Sequence, residues 1–142
     1  MSDHFDLARF VQAQAPAYAS ALAELRAGAK RGHWMWFVFP QLRGLGTSAT
    51  AQRYGVTGLP EARAYLEHPV LGPRLHECAE ALLAHDGSDP VAVLGGVDAL
   101  KLRSCMTLFA LAAPDEPVFA QVLERFYGGE QDDATLRTLR PR

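Results

Sequence analysis

Between Leu25 and Pro60 the chain carries five fixed positive charges, Arg26, Lys30, Arg31, Arg43 and Arg53, together with His33 and without a single Asp or Glu. The full chain of 142 residues has a net charge of −2, so the remainder sums to −7. Charge is therefore segregated along the sequence, and a local basic patch of this kind can hold a small anion even in an acidic protein. Inside the stretch lies His33-Trp34-Met35-Trp36-Phe37-Val38-Phe39-Pro40-Gln41, followed by the turn Arg43-Gly44-Leu45-Gly46-Thr47-Ser48. Indole rings stack on bases and similar rings, each worth roughly 1–3 kcal/mol. His33 carries an imidazole and is a candidate general acid or base. The combination points to an anionic, ring-bearing ligand.

Individual residues take the following roles in that reading. Lys30, Arg31 and Arg43 neutralise a phosphate or carboxylate. The backbone of Gly44, Gly46 and Thr47 approaches it closely, because glycine lacks a Cβ. Trp34 or Trp36 stacks on the ring. His33, Gln41 and Asp98 are the candidates to position water or move a proton. Asp98 enters because glycoside chemistry needs a carboxylate near the scissile bond and the basic stretch has none. Lys101 and Ser104 join as ligand-binding candidates, since Lys101 reaches Ser104 and Cys105 at helical spacing and a lysine activates a neighbouring hydroxyl or thiol. The complete phosphate-loop pattern is absent. Plainer explanations stand beside each role: the glycines form an ordinary turn with a capping Thr or Ser, both Trp residues are core, and Lys101 belongs to a structural ion pair.

Other chemistries are poorly served. His68, His76 and His85 are eight and nine positions apart, not the four of a helical zinc pair, so neither metal nor cofactor is expected. Two cysteines, Cys78 and Cys105, are too few for a disulfide framework and read as buried free thiols. Apolar residues make up 49% and charged residues 21%, a folded composition rather than a disordered one. No apolar run is long enough to span a bilayer, and the acidic start Ser2-Asp3-His4-Phe5-Asp6 does not resemble a secretory leader. The chain reads as cytoplasmic, with a small anionic ligand as partner and neither membrane nor bulk nucleic acid.

The elements that must position these residues are helices. Proline and glycine cut the chain into short pieces. Leu71, Leu75, Cys78 and Leu82 recur along one face of a helix within Pro69 to His85, and Val118, Val122, Leu123 and Phe126 do so later. Asp98 leads a helix to Ala112 whose second half, from Cys105 to Leu111, has almost no polar face and belongs at the centre. Asp6, Ser48 or Thr47, and Asp89 are candidate caps; Gly28, Gly55 and Gly128 are candidate stops. Trp34 to Phe39 is short and apolar on all sides, either helical or extended. A last short helix runs from Asp132 to Leu139 and frays at Arg140-Pro141-Arg142. One strand-like run cannot make a sheet, so the fold class is all-α: one domain over residues 1–142, an irregular bundle of about eight or nine short helices.

Three segments, Phe5-Asp6-Leu7-Ala8-Arg9-Phe10, His33 through Gly46, and Lys101-Leu102-Arg103-Ser104-Cys105-Met106-Thr107-Leu108-Phe109, resemble the bacterial family called domain of unknown function 1810. The likeness covers nearly the whole chain and implies a mainly α-helical fold. It implies no activity, so it assigns no catalytic residue. Members sometimes carry the label calpastatin, a disordered inhibitor, whereas this composition is that of a compact fold. A looser analogy to helical domains of the NADAR type, which act on ADP-ribose linkages, is one of fold and length only. Two functions follow as expectations: a site for a nucleotide-like or sugar-phosphate ligand with hydrolysis of its glycosidic bond, or a non-catalytic module for a small anion or an acidic partner protein.

Overall fold

Among the described residues ten helices form where the apolar spacing and the punctuation call for them. The computed structural model describes residues 3–85 and 87–139; the expected fraying at Arg140–Arg142 lies outside the described residues. The helices are α1 (Ala8–Gln14), α2 (Tyr18–Ala27), α3 (Met35–Val38), α4 (Ala49–Arg53), α5 (Leu59–Glu67), α6 (Leu71–Leu83), α7 (Pro90–Leu94), α8 (Gly96–Ala112), α9 (Pro117–Tyr127) and α10 (Asp133–Leu139). The fold is all-α, and among the described residues the only pairing outside helices is an isolated parallel bridge, Leu42 to Val56. The ambiguous aromatic segment folds as the single turn α3, which brings the helix count slightly above expectation.

α8 is the axis of the molecule. It packs against α5, α7, α9 and α10, and Leu102, Cys105, Met106, Leu108 and Phe109 are completely buried. A helix apolar on nearly all sides is stable only when surrounded. α6 lays its Leu71, Leu75, Cys78 and Leu82 stripe into the same core and contacts α2, α5 and α9. Gly72 is obligatory there: a Cβ would sit 2.1 Å from the Leu66 carbonyl oxygen. α6 is introduced by His68, whose Nδ1 accepts from Val70 N at 3.1 Å and Leu71 N at 3.3 Å. That ring therefore serves the helix start.

The caps are partly as expected. Ser48 Oγ accepts from Ala51 N at 3.1 Å, Asp89 Oδ1 accepts from Val91 N at 3.0 Å, and Gly28 ends α2 in the left-handed region at φ 75°. α1 differs. Asp6 itself turns left-handed at φ 52°, a conformation that a short polar side chain tolerates. Asp3 takes over, its carboxylate accepting from Leu7 N at 2.6 Å and Ala8 N at 2.8 Å.

A buried ion pair positions the glycine turn. Arg9 and Glu61 meet at 2.7 Å with side chains only 5% and 1% exposed. The guanidinium also donates to the carbonyls of Phe5, Asp6, Arg53 and Gly55, so all five of its N–H groups have acceptors. Glu61 Oε1 accepts from Thr57 N and Thr57 Oγ1 at 2.9 and 2.8 Å. Together these bonds clamp residues 53–57. From that clamped strand Val56 exchanges bonds with the opposite segment: Arg43 N donates to Val56 O at 2.7 Å and Val56 N to Gln41 O at 2.9 Å. Gly55 permits the approach, since a Cβ there would lie 2.7 Å from Arg43 Cα. The turn that follows Arg43 is thereby held against α3 and α4.

Candidate functional site

The two carboxylates bordering the acid-free stretch, Glu24 and Glu61, both fold inward. Glu61 serves Arg9. Glu24 Oε1 accepts from Arg31 N at 2.6 Å, Gly32 N at 2.9 Å and Trp34 Nε1 at 3.0 Å. The Gly32 amide, together with the Arg31 amide and the Trp34 indole N–H, outweighs desolvation and holds the Glu24 carboxyl below its ordinary value. Trp34 is consequently core, packed near Phe39 with its indole nitrogen satisfied. Its ring is placed inside the protein rather than on a pocket wall, because Glu24 supplies the one hydrogen bond a buried indole needs.

Trp36 faces the other way. It is half-buried, its ring edge lies close to Gly46, and the Lys101 ammonium sits 3.7 Å from the ring centroid. Lys101 also approaches Asp98 Oδ1 at 3.4 Å. The other oxygen of the same carboxylate, Oδ2, binds Lys30 at 2.8 Å. Lys30 in turn donates to the Gly32 carbonyl at 2.6 Å and lies 5.1 Å from the Trp34 ring. Three distant parts of the sequence thus converge: the α2–α3 loop brings Lys30, α3 brings Trp36, and the first turns of α8 bring Asp98 and Lys101. The backbone joins the same corner, with Lys30 N donating to Val93 O of α7 at 2.8 Å.

This cluster has two ammonium groups for one carboxylate. Asp98 and Lys101 are 17% and 18% exposed, while Lys30 is more deeply set. It is therefore a charged group at the surface edge of the core, with Glu24 as a second carboxylate acting on Lys30, next to an aromatic face and a glycine turn. Asp98 meets both ammonium groups, and Lys101 in turn lies over Trp36.

The remaining candidates are placed as follows. His33 is exposed. Gln41 is half-buried and its carbonyl is used by Val56. Among the described residues no hydrogen bond joins either side chain to Asp98. Arg31 is exposed and bound through its backbone to Glu24. Arg43 is exposed, and its Nε donates to Gln52 O at 3.1 Å. Gly44 is exposed at φ 101°, Gly46 packs on Ala51 and Trp36, and the Thr47 carbonyl accepts from Gln52 Nε2 at 3.3 Å. Ser104 is buried and shares a 3.0 Å hydrogen bond with Thr135 Oγ1, docking α10 on α8. It does not meet Lys101, which turns to Asp98 and Trp36 instead. Cys105 is fully buried, and burial pushes its thiol well above the ordinary value; burial likewise pushes Cys78 up to about 12. Both thiols are poor nucleophiles.

Two surface grooves lie elsewhere. One of about 660 Å³ runs between α1 and the α5–α6 turn, past Leu7, Val11, Ala64 and Pro69. Another of about 500 Å³ follows α6 past Arg26, His76 and Glu77. Neither is lined by Trp36, Asp98 or Lys101. Of the two candidate stacking rings, Trp34 is core and Trp36 is half-buried beside Lys101 and Gly46.

Residues 4–139 match the model of the family described as protein of unknown function DUF1810, and the chain belongs to that family. Its fold is shared with a solved structure, the conserved hypothetical protein Rv1873 from Mycobacterium tuberculosis, at 54% sequence identity and a TM-score of 0.96, over 99% of this chain and 100% of that one. No curated protein matches the chain. Among the described residues no helix is long and apolar enough to cross a membrane.

Proposed function

We propose that the chain binds a small anionic, nucleotide-like or sugar-phosphate ligand at the corner formed by Lys30, Trp36, Asp98 and Lys101. The observation that carries this reading is the sharing of one carboxylate by two lysines, one of which sits on a half-buried aromatic face. In this reading a phosphate meets the Lys101 ammonium, and a ring on the ligand covers Trp36 next to Gly46. Arg31 and Arg43 add long-range attraction rather than direct bonds. Two buried free thiols support a place in the reducing cytoplasm.

The test is thermal unfolding with ADP-ribose, NAD, nucleotides and sugar phosphates. Ligand at about 100 times its dissociation constant adds roughly 2.7 kcal/mol, a clear rise in melting temperature. Lys101→Ala and Trp36→Ala abolish the rise. Absence of any shift, or a shift indifferent to both substitutions, removes the proposal.

A second reading makes the same corner a hydrolase of the ligand's glycosidic bond. Asp98 favours it, as the carboxylate placed among the cations and the ring. Release of free base or sugar, abolished by Asp98→Asn with binding retained, establishes that reading. Binding without turnover leaves a non-catalytic module for a small anion.

A further inference from the structure

The groove between α1 and the α5–α6 turn, about 660 Å³, has the size of a small-molecule site. Two helix faces wall it. Ala8, Val11 and Gln12 of α1, and Ala64 and Glu67 of α5, follow the spacing that puts side chains on one side of a helix. Leu7 and Pro69 complete the apolar surface, and Asp3 and His68 border it. Ala8 and Ala64 carry the smallest side chains on those faces, which keeps the gap open. The groove shares no residue with the corner of Lys30, Trp36, Asp98 and Lys101, so the two sites stand or fall separately.

Its rim is acidic once the neighbouring charges are counted. Glu67 is exposed, and among the described residues no cation pairs with it. Arg63, one turn earlier, turns instead to the Ala112 carbonyl at 3.3 Å. Asp3 caps α1 with both carboxylate oxygens, at 2.6 and 2.8 Å, and each oxygen keeps a second lone pair. Arg9 and His68 both act on Asp3. Arg9 is matched by Glu61, and His68 carries no fixed charge, its Nδ1 being taken up by Val70 N and Leu71 N. The helix ends at the rim, the start of α1 and the end of α5, have opposite partial charges and cancel. Two carboxylates are left. The chain's α-amino group, two positions before Asp3 in sequence, would still leave one over.

We infer that this groove binds an organic cation, a primary ammonium group on an apolar body. The body lies on Val11, Ala64 and Pro69, and the ammonium turns to the acidic rim. An organic anion is repelled from the same rim, and a neutral molecule gains the apolar contact alone.

Phenethylamine, phenethyl alcohol and phenylacetate present one phenyl body with a positive, neutral or negative end. Each is titrated into the full chain while the backbone amide resonances of Ala8, Val11 and Ala64 are followed by NMR. Phenethylamine should shift these resonances and bind about fivefold tighter than the alcohol, a preference that high salt removes. Phenylacetate should bind more weakly than the alcohol. Glu67→Gln keeps the shape of an exposed side chain; it should shrink the preference for the amine and leave the affinity for the alcohol unchanged. Ala64→Leu should fill the groove and abolish binding of both, while an unchanged spectrum elsewhere shows that the variant is folded. The inference is overturned if the amine moves no resonance at the groove, or if phenylacetate or the alcohol binds as well as the amine. It is equally overturned if Glu67→Gln leaves the preference unchanged or Ala64→Leu leaves binding intact. Groove resonances that shift with protein concentration alone give the site to a second copy, and that too overturns it. Neither substitution should touch the phosphate-ligand melting shift, so failure here is read apart from failure of the anion site.

Discussion

Arg9 with Glu61, and Lys30 and Lys101 with Asp98, are built from the same parts: cations, one carboxylate and an aromatic ring. The Arg9 guanidinium lies 4.3 Å from the Phe10 ring centroid, much as Lys101 lies over Trp36. Their surroundings separate them. Around Arg9 every donor has an acceptor, charges balance one to one, and water is excluded. Around Asp98 two lysines share one carboxylate and part of the surface is wet. A sealed pair has no free face; the half-open cluster keeps one towards water. Arginine suits the first because its planar fork is fully used, and lysine the second because its compact ammonium can exchange partners.

The strongest way to break this contrast is to remove one carboxylate at a time. Glu61→Ala strands a buried guanidinium and should cost about 3–5 kcal/mol, read by urea unfolding. Asp98→Ala, at the wetter cluster, should cost about 1–2 kcal/mol. Equal costs would erase the distinction. Replacing both Arg9 and Glu61 by Met should recover much of the Glu61→Ala loss, since a buried pair gains little over well-packed apolar groups.

The link between the two regions is the turn. Gly55→Ala would put a Cβ 2.7 Å from Arg43 Cα, so the two segments must part, and should destabilise by about 2 kcal/mol. If the clamp on residues 53–57 places Gly46 against Trp36, the same substitution should also reduce the phosphate-ligand melting shift. Trp36→Ala sharpens the functional half. Its stability cost should be about 1 kcal/mol, while ligand affinity falls about tenfold or more, as loss of a stacking ring predicts. Titration calorimetry beside urea unfolding separates the two quantities.

The smallest effect concerns pH. The Glu24 carboxyl is lowered from its ordinary 4.5 by the Gly32 amide and its neighbours. A lowered folded value means that its stabilisation is fully present above 4.5 and is lost as pH falls through the folded value. Wild type and Glu24→Gln should therefore differ in unfolding midpoint at neutral pH and converge in acid. A gap that persists in acid would show that Glu24 acts by shape rather than charge.

Much of the fold was legible because it is local. The α6 stripe, the all-round apolar α8, the Ser48 and Asp89 caps and the Gly28 stop depend on neighbours within a turn or two. The all-α class followed, and the helix count fell just short because α3 is a single turn that periodicity cannot resolve. The site was legible in type but not in arrangement. The cations, Trp36, Asp98 and Lys101 were singled out individually. Which indole turns inward was hidden, since that depends on Glu24, ten residues before Trp34. Arg9 went unnoticed as a core residue because its partner is 52 positions away. One signal was available: an arginine set among Phe5, Leu7 and Phe10, with Glu61 standing just beyond the acid-free stretch. Ser104 and Lys101 share a helix, yet helical spacing alone does not reveal that α10 claims the first and Trp36 the second.

The late position of α8 in the chain has a consequence for synthesis. As the polypeptide leaves the ribosome, α1 to α7 emerge before the helix that supplies Leu102, Cys105, Met106, Leu108 and Phe109 to their shared interior. The nascent chain must carry the exposed stripes of α5 and α6 until that wedge arrives, so assembly is held back to a final, concerted closure rather than proceeding stepwise from the first residue.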